Sequence, residues 1–323
     1  MKARKSSTRH VNEEEAISII WRALSINQRD PFDDDVAWTT NRPEKGLLAL
    51  KSDMFVSGTD APKEMSLGQM ATKAVTSCVS DFAAKGLQPS FGVMSIAIPK
   101  TDSSEKNVSS IAEALRRVSR LYKFKIIGGD MNSSKSGMVF DVTLGTFADR
   151  LIRRRGAKPG DLVGVSGRFG MESSGLKILL DHSSATLGFK RKAVDSVLKP
   201  TAKLELGLKI SKYLTSSIDS SDGLAISLYH LAESSRVDIS IDQIPIEEGV
   251  ERFAKMNGLE AEDLALFGGE EYELVFTFNS RHEETLRGLG ILVIGTVESM
   301  SGGKPRVCYE ERIIPRKGWI HND

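Results

Sequence analysis

The chain has 323 residues, of which 40% are hydrophobic and 27% charged; such usage excludes wholesale disorder and leaves room for two domains whose cores need no disulfide or structural metal. With 44 Lys+Arg against 43 Asp+Glu the net charge is +1, a balance that supplies no field for general nucleic-acid or membrane-surface binding. Two cysteines, Cys78 and Cys308, form no CxxC or metal spacing, and no apolar run reaches the ~18 residues of a membrane span, so a reduced, cytoplasmic protein is expected.

Residues 1–10 are basic and lead into Glu13, Glu14 and Glu15. That is the pattern of a tail, not of a signal peptide. Residues 12–26 are predicted helical, with Asn12 and Glu15 as a capping pair and Ile17, Ile20, Trp21 and Leu24 as one apolar stripe. A short strand at 47–51 runs into Ser52-Asp53. Ser66 caps a helix running to Lys85, with Leu67, Met70, Ala74 and Cys78 on one face and Gly86 as its stop. Residues 91–98 form a strand, 104–122 a helix, and 124–127 a strand entering Gly128-Gly129-Asp130. A strand at 138–147 closes the first half.

The charged turn at 153–161 places a domain boundary near residue 150, giving units of 1–150 and 151–323. Beyond it come a strand at 162–165, a Gly-rich turn, a helix from about Ser173, and a helix at 202–213. A strand ends at Ser217-Ile218-Asp219 and a helix covers 223–234. Strands follow at 239–241, 272–278, 291–297 and 306–309. Helices and strands alternate in both halves, so each half reads as α/β.

Aspartates recur where strands meet turns: the Asp33-Asp34-Asp35 run, Asp53, Asp130, and the Asp219/Asp222 pair around Ser220-Ser221. Each alone is as readily a solvated turn, an Asx turn or an N-cap. Asp81, inside the apolar helix, is harder to place without a function. If they converge, their mutual repulsion calls for a cation, and an all-oxygen set without His or Cys suits Mg²⁺. Mg²⁺ held by few carboxylates also binds phosphates. No GxxxxGK[ST] loop is present, and the 164–170 Gly-rich turn lacks the dinucleotide spacing. Arg150, Arg153, Arg154 and Arg155 either neutralise phosphate or form a solvated linker. None of the five histidines lies in a metal or nucleophile motif, and His230 reads as an ordinary helical histidine.

From about residue 30 onward the ordered motifs resemble the thiamine-monophosphate kinase family, within the superfamily of aminoimidazole ribonucleotide synthetase and selenophosphate synthetase. The resemblance rests on Asp34-Asp35-Val36-Ala37, Ser52-Asp53-Met54, Ser80-Asp81-Phe82-Ala83-Ala84-Lys85-Gly86, Gly128-Gly129-Asp130, Arg155-Gly156-Ala157-Lys158-Pro159-Gly160-Asp161, Asp219-Ser220-Ser221-Asp222-Gly223-Leu224 and Gly268-Gly269-Glu270-Glu271-Tyr272. It implies a two-domain α/β (α+β) fold, with an N-terminal sheet that pairs with a second subunit to give a homodimer. It also implies transfer of phosphoryl from ATP to thiamine monophosphate with several Mg²⁺ ions, and neither nucleic acid nor membrane as a partner.

By the same resemblance, Asp35, Ser52, Asp53, Asp81, Asp130, Asp219 and Asp222 match metal positions. Gly129, Asp130, Arg154 and Ser221 match ATP-contacting positions, and Glu270 and Trp319 substrate positions. Asp130, Arg154 and Asp222 would carry the transfer. A phosphate acceptor is already ionised near neutrality, since its second pKa is ~6, so no strong general base is needed. Lys51 stands where the family often has a metal-site Ser, Asp60 where it usually has a substrate-contacting His, and Glu271 where its signature has Asp. The alternatives are another ATP-using member of the superfamily, a non-catalytic Mg–nucleotide binder, and a metal-dependent phosphatase.

Overall fold

The computed structural model describes residues 35–39 and 46–318. The helix expected over 12–26, Asp33, Asp34 and Trp319 lie outside the described residues. Two sheets carry the fold. The first has strand order β1-β2-β5-β3-β4, from β1 (Ala37–Thr39), β2 (Leu47–Val56), β3 (Phe91–Pro99), β4 (Lys125–Ser134) and β5 (Val139–Ala148). Its pairs are antiparallel except β3 with β4. The second has order β12-β11-β8-β10-β6-β9-β7, from β6 (Asp161–Val165), β7 (Leu214–Ser220), β8 (Val237–Ile241), β9 (Glu273–Asn279), β10 (Leu292–Ser299), β11 (Val307–Tyr309) and β12 (Arg312–Ile313). Only β11 with β8 is parallel.

The helices in chain order are α1 (Ser57–Asp60), α2 (Leu67–Ala84), α3 (Glu105–Leu121), α4 (Met171–Leu180), α5 (Leu187–Leu198), α6 (Leu204–Ile210), α7 (Leu224–Ser235), α8 (Val250–Asn257), α9 (Ala261–Phe267) and α10 (Glu283–Arg287). Both sequence halves thus mix helix and strand as expected, although the strands pair mainly antiparallel. The sequence reading lacks α1, α5, α8, α9 and α10. It also ends the fourth strand at Ile127, whereas β4 runs on through Gly128-Gly129-Asp130. A parallel register with β3, Met94 opposite Gly129 and Ser95 opposite Asp130, carries the chain on.

Helix α2 organises the molecule. Ser66 caps it in a reciprocal box with Gln69, satisfying two of its orphan donors. From Lys73 to Lys85 every residue but Ser77 is buried, so this is a helix covered on all sides, not a surface helix with one apolar stripe. It packs on β2 and β5 of the first sheet, on β7 and β9 of the second, and on α3 and α6. Small residues make this possible: a Cβ on Gly207 of α6 would lie 2.2 Å from the Ala83 carbonyl. One apolar cluster accordingly runs from Phe55, Phe82, Phe140 and Leu144 to Leu274, Phe276 and Phe278 across both sheets. At ~1.5–3 kcal/mol per large buried side chain, this seam is a principal source of stability. A helix buried on all sides must find internal partners for every charge it carries, and it carries Lys73, Asp81 and Lys85.

Alternation along β2 sends Leu47, Ala49, Lys51, Asp53 and Phe55 toward α2, and Leu48, Leu50, Ser52 and Met54 to the opposite face. That opposite face is uncovered and partly apolar, with Leu50, Met54, Val93 and Phe147 exposed. The β4 edge beside it exposes Ile127 and Met131. Among the described residues no helix is long and apolar enough to cross a membrane.

Candidate active site

The buried charges of α2 find their partners at the junction of the two sheets. Lys85 Nζ lies 2.6 Å from Asp35 Oδ2 and donates to the Ser217 carbonyl at 2.7 Å. It thereby ties α2 to the N-terminal segment and to β7. Arg154 Nε donates to Asp35 Oδ1 at 2.6 Å. Burial alone would raise the Asp35 pKa, but Arg154 and Lys85 overcome it and hold the carboxyl at about 2. Asp81, one turn before Lys85, is 3.0 Å from Lys51 Nζ of β2. Asp219 enters from the end of β7. Burial, then the charge of Asp35, pushes it up to about 6. Burial also pushes Asp81 well above the usual carboxylate range despite Lys51.

One ligand oxygen from each of Asp35, Asp81 and Asp219 lies within 4.8 Å of the others. Two ionised carboxylates that close repel by about 3–4 kcal/mol at an effective dielectric of 20. The raised Asp219 and Asp81 express that repulsion together with desolvation, and both would be relieved by one more positive charge. The donors are hard oxygens only, the set that suits Mg²⁺. The residues therefore fit a divalent cation.

The cluster opens into a cavity of about 390 Å³. Its other wall is the Gly-Gly-Glu-Glu-Tyr segment between α9 and β9. A Cβ on Gly268 would fall 1.5 Å from Ser173 Oγ and 2.7 Å from the Leu264 carbonyl, so only glycine fits there. Glu270 and Tyr272 take left-handed φ values of 68° and 51°, costly for such residues. The segment is pinned in that shape because Glu270 N donates to the Ser221 carbonyl at 2.5 Å and Tyr272 N to the Ser220 carbonyl at 2.9 Å. The two motifs that flank the cavity thus hold each other. Gly223, with φ of 120° and a Cβ position 3.1 Å from the carbonyls of Gly268 and of Leu266 in α9, lets the chain turn from Asp222 into α7.

Glu270 forms an ion pair with the buried Lys73, which also donates to the Asp60 carbonyl at 2.7 Å and lies 5.9 Å from the Phe55 ring centre. Asp60 Oδ2 accepts from Val56 N at 2.6 Å, folding α1 back on the end of β2. Glu271 points away from the cavity and accepts from Gly170 N at 2.6 Å.

Of the residues singled out in the sequence, Asp35, Asp53, Asp60, Asp81, Arg154, Asp219, Ser221, Asp222 and Glu270 line this one cavity. Ser52, Gly129 and Asp130 do not. Ser52 Oγ donates to Asp141 Oδ1 at 2.8 Å on the uncovered face of the first sheet, and Asp130 is exposed on β4, in register with Ser95 of the same face. Lys73, Phe55, Tyr272 and His230 line the cavity without having been expected there. His230 was readable in retrospect. It falls three and four residues after Ser227 and Ile226, on the α7 face that meets the cavity. Burial, then Arg154 and Arg316, pulls its pKa down to about 4, so it stands neutral beside the arginine.

Residues 33–148 match the family described as AIR synthase related protein, N-terminal domain. The chain is 37% identical over 283 residues to a thiamine-monophosphate kinase of Nitrosopumilus maritimus, covering 86% of this chain and 90% of that one. It is 33% identical to the Pyrococcus horikoshii enzyme of the same name, covering 85% and 86%. Among solved structures it superposes on AaThiL complexed with AMPPCP and TMP with a TM-score of 0.86 at 29% identity, covering 98% of this chain and all of that one. It superposes on thiamine monophosphate kinase from Aquifex aeolicus with a TM-score of 0.81 at 28% identity, covering 94% and 99%. Motif order, superposition and extended identity agree: this chain belongs to the thiamine-monophosphate kinase family.

Proposed function

We propose that the protein transfers the γ-phosphoryl group of ATP to thiamine monophosphate, giving thiamine diphosphate and ADP. The observation that carries this reading is the cavity itself. A buried carboxylate cluster with Arg154 at one end faces an acidic and aromatic wall of Glu270, Tyr272 and Phe55 at the other. Phosphoryl transfer asks for positioning and charge neutralisation more than covalent help, which a carboxylate cluster and an arginine are suited to give. Asp35, Asp81 and Asp219, with Asp53 and Asp222 beside them, would hold Mg²⁺, which when bound neutralises the nucleotide phosphates and the transferred group. Arg154, already aimed at the cluster through Asp35, adds positive charge to the transferred group. The acceptor phosphate needs no base because it is ionised near neutral pH. At the far end Glu270, on its strained turn, pairs with the cationic thiazolium, for which Phe55 and Tyr272 offer ring faces.

We further propose a homodimer formed through the uncovered sheet face. Contiguous exposed apolar side chains on a face with an open edge strand mark an association surface, here Leu50, Val93 and Phe147 beside Ile127. Ser52 and Asp130 lie on this surface and Gly129 on the adjoining β4 edge, and within one chain they stand apart from the cavity; a role for them at the nucleotide would run through the dimer. The first sheet then forms the dimerising, nucleotide-binding unit and the second completes the site. The two cysteines, both free, suit a reducing cytoplasm.

The test is product formation. Protein, Mg²⁺, ATP and thiamine monophosphate should yield thiamine diphosphate by chromatography, with none when any one is omitted. Phosphate release without acceptor would replace this reading with a phosphatase. Phe147→Glu should halve the mass seen by light scattering; an unchanged mass would remove the dimer surface.

A further inference from the structure

The carboxylate site contains its own cation. Lys51 brings a positive charge, the sign a bound metal would carry, against the three-aspartate cluster from the first sheet. Its Nζ is 3.0 Å from Asp81 Oδ2, and Asp53 lies two residues further along the same face of β2. The contact is not a surface pair. Asp81 is buried, so the pair is enclosed rather than solvated. Cys78 Sγ packs beneath against the Lys51 carbonyl, at 3.6 Å, so the strand that carries the lysine is seated on α2. Lys85 and Arg154 neutralise Asp35 on the opposite side of the cluster.

A divalent ion placed at the Asp53–Asp81 side would meet this ammonium at contact range, and Coulomb repulsion scales with the product of the charges. The remaining open ligand is Asp219, which faces the cavity and carries no ion pair among the described contacts. We propose that the Lys51 ammonium substitutes for the divalent ion that Asp53 and Asp81 would otherwise share, so that the site takes one ion fewer than the same carboxylates would with an uncharged residue at position 51. This rests on the kinase reading, which supplies the metal–nucleotide complex. It does not depend on which acceptor is used.

The experiment counts ions rather than turnover. Mn²⁺ is titrated into the full chain with AMPPCP, free Mn²⁺ being read by electron paramagnetic resonance, for wild type, Lys51→Met and Lys51→Arg. Lys51→Met should bind one additional Mn²⁺ per chain at saturation and bind Mn²⁺ at least tenfold more tightly without nucleotide, whereas Lys51→Arg should keep the wild-type count. Equal counts in all three overturn this inference alone. A folded wild-type chain that takes up no Mn²⁺ with AMPPCP overturns the kinase reading and this inference with it. Should Lys51→Met fail to fold, wild-type crystals soaked with Mn²⁺ and AMPPCP decide the matter: anomalous density bridging Asp53 and Asp81 with the lysine displaced overturns the proposal, and Lys51 still on Asp81 with density only at Asp219 supports it.

Discussion

Two acidic clusters among the described residues are built to opposite ends. At the sheet junction, Asp35, Asp81 and Asp219 are balanced by Lys51, Lys85 and Arg154 and open into a cavity. Some way along the second sheet, Glu271 accepts from Gly170 N at 2.6 Å with Glu172 close by, and Glu273 accepts from Ser166 and pairs with Lys203 at 2.9 Å. Burial, then the neighbouring Glu172, pushes Glu271 well above the usual range. The second cluster holds a single cation, Lys203, where the first holds three. Glu271, turned onto Gly170 N, closes its cluster on itself and fastens the Gly170 turn to the segment that carries Glu270. Fixed cations leave carboxylate lone pairs facing an open space, where a metal and phosphates can enter. Acidic residues alone do not mark an active site; what neutralises them does.

The largest effect expected from this contrast is catalytic. Asp219→Asn should lower phosphoryl transfer on the order of 10³-fold, in the range of lost transition-state charge stabilisation, with no loss of melting temperature because the variant removes repulsion. Glu271→Gln should stay within a few-fold of wild type under the same steady-state assay. If the two variants lose activity equally, the division between clusters is wrong. Next in size is stability: Lys85→Met leaves Asp35 buried with one fewer partner and should cost about 3–5 kcal/mol in denaturant unfolding. His230→Ala, which removes a neutral wall beside Arg154, should raise the KM for ATP more than it lowers kcat; a pure kcat effect would give the imidazole a different role.

The smallest effect is a slope. Because the folded pKa of Glu271 is raised, the native chain holds a proton that the unfolded chain has released above pH ~4.3. Its contribution to stability is full below that pH and declines as pH rises toward the folded value. Glu271→Gln mimics the protonated acid, so its melting temperature should fall less steeply than wild type from about pH 4.5 upward.

Much of this was legible from the sequence, for identifiable reasons. The α2 helix and its cap followed from Ser66 and a periodic apolar run, and the cavity aspartates from their places at strand ends. Asp81 was conspicuous as a charge inside an apolar helix, which only a buried partner explains. The covered and uncovered faces of the first sheet could not be read from the same pattern. Lys51 and Asp53 alternate with Ser52 and Met54, and both sets are mixed in polarity, so period two does not say which faces α2. That ambiguity separates Ser52 and Asp130 from the cavity in the folded chain. Lys73 was invisible because an isolated lysine in a helix reads as solvated until its neighbours are known. The extension of β4 through Gly128-Gly129-Asp130 was missed because two glycines read as a turn, and only the register against Met94 and Ser95 carries them as strand.

Helix α2 has a consequence for how the chain folds. Since it is enclosed by both sheets, and Lys85 bonds at once to the N-terminal segment and to β7, neither sheet can be completed while the other is open. The two halves should therefore melt in one calorimetric transition, and the amides of α2 should be among the last to exchange with solvent. A ligand seated on Asp81 and Asp219 clamps that same seam, which makes nucleotide binding and global cooperativity two readings of a single contact surface.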